Sequence, residues 1–126
     1  MPRKKGVKYP SDYKTTVERK NASWKYFISQ KLSLKKTLAK YEVTITSQEL
    51  YALFEAQAGL CALSKVPMTW IAGKGRQSAN ISLDRIDNSK GYISGNVQLV
   101  CVAVNLMKAE MDYDELKFWC ERIIEQ

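Results

Sequence analysis

The chain has 126 residues, 45% of them hydrophobic, with 20 Lys or Arg against 13 Asp or Glu and no histidine. That size fits one domain with a modest core and excludes a second full domain. No apolar run approaches the roughly 20 residues that span a bilayer, and the opening Met-Pro-Arg-Lys-Lys-Gly lacks a secretion signal's apolar stretch, so a soluble cytoplasmic protein without a membrane partner is expected.

The net charge of +7 is unevenly spread: residues 1–40 hold 12 Lys or Arg against Asp12 and Glu18, a balance of +10, while residues 41–126 carry −3. A basic first third on a mildly acidic body points to a polyanionic partner, most simply nucleic acid. The alternative is a solvated, solubilising face. Residues 1–20 mix Lys and Arg with Pro2, Gly6 and Pro10 and show no apolar period, which predicts an irregular arm that orders on a phosphate backbone. From Asn21 to Lys40, Trp24, Phe27, Ile28, Leu32, Leu34 and Leu38 recur at roughly helical spacing between lysines. The pattern predicts an amphipathic basic helix with its apolar stripe in the core.

Residues 1–41 are therefore read as arm plus helix and residues 42–126 as the main domain. Glu42 to Ile45 alternates like a strand, and Thr46 followed by Glu49 is a capping-box pattern opening a helix over Ser47 to Ala58, stopped by Gly59. Leu60 to Ile71 suggests a loose hairpin, with Gly73 to Ser78 a basic loop at or after its tip. Ile81 to Ile86 and Val97 to Val100 read as strands joined through turn residues, Cys101 to Ala109 as a helix, and Asp112 with Glu115 as the cap of a closing helix. In that last helix Leu116, Trp119, Cys120 and Ile123 fall at three- and four-residue spacing. The three tryptophans, Trp24, Trp70 and Trp119, are expected in the core. Cys61, Cys101 and Cys120 form no Cys-x-x-Cys pair, so buried free thiols are expected rather than a disulfide framework or a four-ligand zinc site.

A strand, turn, strand and helix in succession can bring a carboxylate from the first strand beside a polar residue of the helix, and Asp84 and Asn105 are the natural pair. Magnesium and manganese favour hard oxygen ligands, and magnesium keeps several waters, so one carboxylate and one amide oxygen suffice when phosphate supplies the rest. Asp and Asn are also ordinary turn residues, and that reading stays open.

Leu83-Asp84-Arg85-Ile86-Asp87-Asn88-Ser89-Lys90-Gly91-Tyr92, then Gly95-Asn96-Val97, then Asn105-Leu106-Met107-Lys108, resembles the HNH, or ββα-metal, endonucleases, especially small phage-type members. The likeness extends upstream over Thr46 to Pro67 and on to Trp119-Cys120, covering most of residues 42–124. It implies an α+β fold, a ββα-metal nuclease motif flanked by helices, behind the basic N-terminal arm and helix. The implied activity is hydrolysis of DNA phosphodiester bonds with one Mg2+ or Mn2+ ion, inside a bacterial host cell.

Position by position, the resemblance implies that Asp84 and Asn105 ligate the metal and that Asn96, matching the central N, ties the loop between the strands. Arg85 stands where the family has its general-base histidine, and a guanidinium cannot accept that proton. Arg85 can clamp the phosphate, leaving water activation to the metal or bulk solvent; Asp87 can act as base; or the protein binds without cutting. Asp84 and Asp87 share a face only if the strand ends or bulges between them. Arg3, Lys4, Lys5, Lys35, Lys36, Lys74, Arg76, Lys90 and Lys108 are candidate contacts to double-stranded DNA, with ordinary surface charge as the bland alternative. An HNH-like nuclease leads, followed by a non-catalytic nucleic-acid-binding or regulatory protein on the same scaffold. A basic structural or ribosome-associated protein explains the charge but not the Asp84 and Asn105 pair.

Overall fold

A computed structural model describes residues 24–126; Arg3, Lys4, Lys5 and the expected arm lie outside the described residues. Helix α1 (Trp24–Leu38) ends two residues inside the expected limit at Lys40. Its buried stripe is narrower than the sequence suggested. Ile28 and Leu32, one turn apart, are in the core, and Trp24, a turn earlier, stacks on Phe54 with centroids 4.2 Å apart. Leu34 and Leu38 fall off the i, i+4 row and are exposed, contrary to expectation.

Glu42 to Ile45 forms not a full strand but a single parallel bridge, Val43 to Tyr92, because its partner is a loop. Helix α2 (Ser47–Ala56) starts with the capping box anticipated at Thr46 and Glu49. The chain leaves it through left-handed Ala58 and Gly59. A tight turn follows, with a bridge between Leu60 and Pro67, and the basic loop around Gly73 and Gly75 lies after this hairpin.

Strands β1 (Ile81–Arg85) and β2 (Val97–Cys101) pair antiparallel, with Leu83 opposite Leu99 and Asp84 opposite Gln98. Helix α3 (Val102–Lys108) follows β2 directly, and α4 (Tyr113–Ile124) closes the chain behind the Asp112 cap. The architecture is α+β, with β1, β2 and α3 forming a consecutive ββα unit. Ile28 and Leu32 share one apolar cluster with Leu50, Ile81, Leu83 and Leu99, so α1 packs into the same core as residues 42–126.

In α4 only Leu116 is buried and Cys120 half-buried. Trp119 and Ile123, expected inside, are 50% and 69% exposed, since α4 touches the body along one narrow row. Cys61, Cys101 and Cys120 are all free thiols. Among the described residues no helix is long and apolar enough to cross a membrane.

Candidate metal and phosphate site

The hairpin between β1 and β2 is built around one side chain. Asn96 accepts from the Asp87 N–H (2.8 Å) and donates to the carbonyls of Asp87 (3.1 Å) and Gly91 (2.9 Å). All of its hydrogen-bonding directions toward the loop are thereby used inside a buried position, which fixes the turn. Gly91 is required for a different reason: a Cβ there would collide with the Glu42 carbonyl oxygen, which accepts from the Tyr92 N–H at 2.7 Å.

Helix α3 runs along β1, and side chains link the two at matched intervals. Asn105 Nδ2 donates to Ser82 Oγ and to the Leu83 carbonyl (3.2 Å), and Lys108 Nζ donates to Asp84 Oδ1 (3.1 Å) and to the Arg85 carbonyl (3.2 Å). A carbonyl only accepts, so the Leu83 contact fixes which end of the Asn105 amide is nitrogen. The amide oxygen therefore points away from β1, and nothing among the described residues donates to it. Across the sheet, Gln98 Nε2 donates to Asp84 Oδ2 at 2.8 Å. Asp84 is 4% and Lys108 1% exposed, making theirs a buried ion pair.

Asp84, Asn105 and Arg85 line one cleft of about 350 Å³ with Tyr41, Lys35 and Lys40. α1 and the segment after it thus form the wall opposite the ββα unit. The donor set fits a hard divalent cation: an anionic carboxylate from Asp84, whose oxygens each retain a lone pair, and an undonated amide oxygen from Asn105. Waters and a phosphate would complete such a shell. Lys108 and Gln98 already hold the carboxylate, so its orientation is set without an ion.

Arg85 does not project freely into the cleft. Its guanidinium lies 3.5 Å from the Tyr41 ring centroid and donates through one nitrogen to the carbonyls of Asn88 (2.6 Å) and Lys90 (3.1 Å). The other terminal nitrogen is 3.9 Å from the exposed Glu110 carboxylate. The residue is 7% exposed. Asp87 lies beyond the end of β1, is exposed, and accepts from the Ser89 hydroxyl (2.6 Å) and N–H (2.9 Å) through one oxygen. Those two donors hold its pKa below the usual carboxylate range, the hydroxyl having the larger effect. It does not line the cleft.

Of the cations expected on DNA, Lys36, Lys74, Arg76 and Lys90 are exposed and Lys35 is half-buried in the cleft wall. Lys108 departs from the expectation of a surface contact: its ammonium is enclosed against Asp84. Sequence reasoning missed three participants. Ser82 and Gln98 were accessible in principle, one as the residue two before Asp84 on the same strand face and the other as its cross-strand partner. Tyr41 left no local signal, because only the packing of α1 brings it over Arg85.

Comparison with protein-family models, with curated proteins and with solved structures finds no match to this chain.

Proposed function

We propose that the protein is a divalent-metal-dependent DNA endonuclease of HNH type, acting inside the cell on double-stranded DNA. The observation that carries this reading is that Asp84 and Asn105, whose amide oxygen accepts no hydrogen bond among the described residues, line one cleft together with Lys35, Lys40 and Arg85. Oxygen ligands for a hard cation and cations for a phosphate backbone meet in one place. The resemblance of residues 83–108 to HNH sequences supports the same assignment.

In this reading Asp84 and Asn105 hold Mg2+ or Mn2+, which when bound neutralises charge on the scissile phosphate and polarises water. Lys35 and Lys40 draw the backbone to the cleft mouth. Arg85, fixed by Tyr41 and the loop carbonyls, contributes positive charge beside the phosphate without accepting a proton. Asp87 is the weaker candidate for a base, being outside the cleft and held in its ionised form by Ser89. The basic residues 1–40 track the duplex.

One observation favours a second reading, a scaffold that binds nucleic acid without cutting it: the carboxylates lining the cleft are already engaged, Asp84 with the Lys108 ammonium at 3.1 Å and the exposed Glu110 beside the Arg85 guanidinium at 3.9 Å. Plasmid relaxation separates the two. With Mg2+ or Mn2+ the native chain is expected to nick supercoiled DNA, with Asp84→Ala and Asn105→Ala reduced at least about 100-fold at unchanged circular dichroism. Absence of metal-dependent cleavage above the Asp84→Ala background overturns the enzyme assignment.

A further inference from the structure

A carboxylate intended for a metal is expected to keep its charge available, yet Asp84 is already neutralised from inside the fold. Lys108 Nζ sits 3.1 Å from Asp84 Oδ1 and is held in place by the Arg85 carbonyl at 3.2 Å. Both groups are almost completely buried. Burying such a pair gains little stability over an apolar pair of the same shape, because desolvation offsets the attraction. Its presence needs another explanation.

The charge around the cleft supplies one. Lys35, Lys40 and Arg85 line it, Lys108 lies behind Asp84, and among the described residues the carboxylates facing these groups are Asp84 and the exposed Glu110. The side chains of the cleft therefore bring four cations against two anions. A divalent cation arriving alone meets net repulsion, and the ligand it needs is shared with an ammonium. A phosphate arriving with it removes that imbalance.

We propose that Lys108 makes metal binding conditional on phosphate: it occupies Asp84 as an internal counterion, so that a divalent ion binds weakly to the free protein and tightly only when a phosphate group is in the cleft. This rests on the metal-site reading above and adds an order of assembly to it. Lys108 is a positioning residue acting through Asp84. Linkage requires the effect to be mutual, so that metal also tightens phosphate binding by the same factor.

The test is Mn2+ binding followed by the electron paramagnetic resonance of the free ion, with and without thymidine 3′,5′-bisphosphate, which offers phosphate but no phosphodiester to cut. A protein-free control corrects for Mn2+ held by the nucleotide. For the native chain the nucleotide is expected to tighten Mn2+ at least about 10-fold, within the range usual for coupled sites. Lys108→Met and Lys108→Gln are both used, Gln retaining a donor to Asp84 should Met disturb folding. Each is expected to bind Mn2+ alone about 10-fold more tightly than the native chain and to lose most of the nucleotide's effect. Native Mn2+ affinity that is indifferent to the nucleotide, or folded Lys108 variants that bind Mn2+ no more tightly than native, overturns the proposal while leaving the metal site standing. No Mn2+ bound by native or variant chains, even with the nucleotide, overturns the metal site as well.

Discussion

The guanidinium of Arg85 lies over the Tyr41 ring, 3.5 Å from its centroid, and bridges the carbonyls of Asn88 and Lys90. A cation–π contact and two charge-assisted hydrogen bonds on a buried residue make Arg85 a brace for the β1–β2 loop, whatever it does to a phosphate. Arg85→Ala is expected to destabilise the fold by about 2–4 kcal/mol, since the two carbonyls lose their donor and the ring its partner. Arg85→Lys should recover only part of this, because an ammonium cannot reproduce the planar fork. Urea unfolding decides: a loss below about 0.5 kcal/mol for Arg85→Ala would remove the brace.

Asn96 gives a sharper test of the loop. Asn96→Asp keeps the shape and the acceptor for Asp87 N–H but turns the donating nitrogen into an oxygen facing the carbonyls of Asp87 and Gly91. The aspartate variant is expected to be less stable than native by about 2–4 kcal/mol at pH 7, and to recover partly as acid protonates the new carboxyl. Equal stability of Asn96→Asp and native at neutral pH would contradict the bonding described.

The Asp87 carboxyl is stabilised in its ionised form by Ser89. Because the folded pKa is depressed, the associated stability is present at neutral pH, persists above the unfolded carboxylate value near 3.9, and is lost as pH falls through the lower folded value. Ser89→Ala should move the Asp87 titration, followed by carboxyl-carbon NMR, back toward the ordinary value. If Asp87 were the base for cleavage, the acid limb of the pH–rate profile would shift up with it. An acid limb indifferent to Ser89→Ala assigns the proton elsewhere.

Cys61 Sγ accepts from the Cys101 thiol, which lowers its pKa, while burial opposes the charge; the N–H groups of Ser64 and Cys101 add to the same cradle. Thiolate character would favour alkylation, but Cys61 is fully enclosed and Cys101 nearly so. Enclosure is expected to win. Iodoacetamide on the native protein should modify Cys120 alone, with Cys61 and Cys101 reacting only in guanidinium, as read by peptide mass spectrometry. Labelling of Cys61 in the native state at a rate near that of Cys120 would contradict the packing around it.

Much of this was legible in the chain because the signals are local. Thr46 with Glu49 and Asp112 with Glu115 announce helix starts through hydrogen bonds three residues apart, and the turn residues between Asp87 and Asn96 confine the hairpin to a short range. Asp84 and Asn105 stood out for the chemistry of their oxygens. What escaped depends on distance in sequence. Whether Trp119 is covered depends on what α4 packs against, and nothing in its spacing distinguishes a wide buried face from the single row at Leu116 and Cys120. Lys108 read as a surface cation because lysine nearly always is one; its burial follows from Asp84 lying 24 residues away.

The contacts between β1 and α3 also have an arithmetic. Val102 N–H meets the Asn80 carbonyl, Asn105 meets Ser82, and Lys108 meets Asp84, so two residues of one element are counted off against three of the other. A strand advances about 6.7 Å over two residues and a helix about 4.5 Å over three, so the two scales slide against each other like a vernier and coincide only over this stretch. Deleting one residue from α3 would turn everything beyond it by about 100° and carry every later rung out of phase. The cleft is thus sensitive to length as well as to identity: its chemistry tolerates exchange of side chains better than a change of count between Asn80 and Lys108.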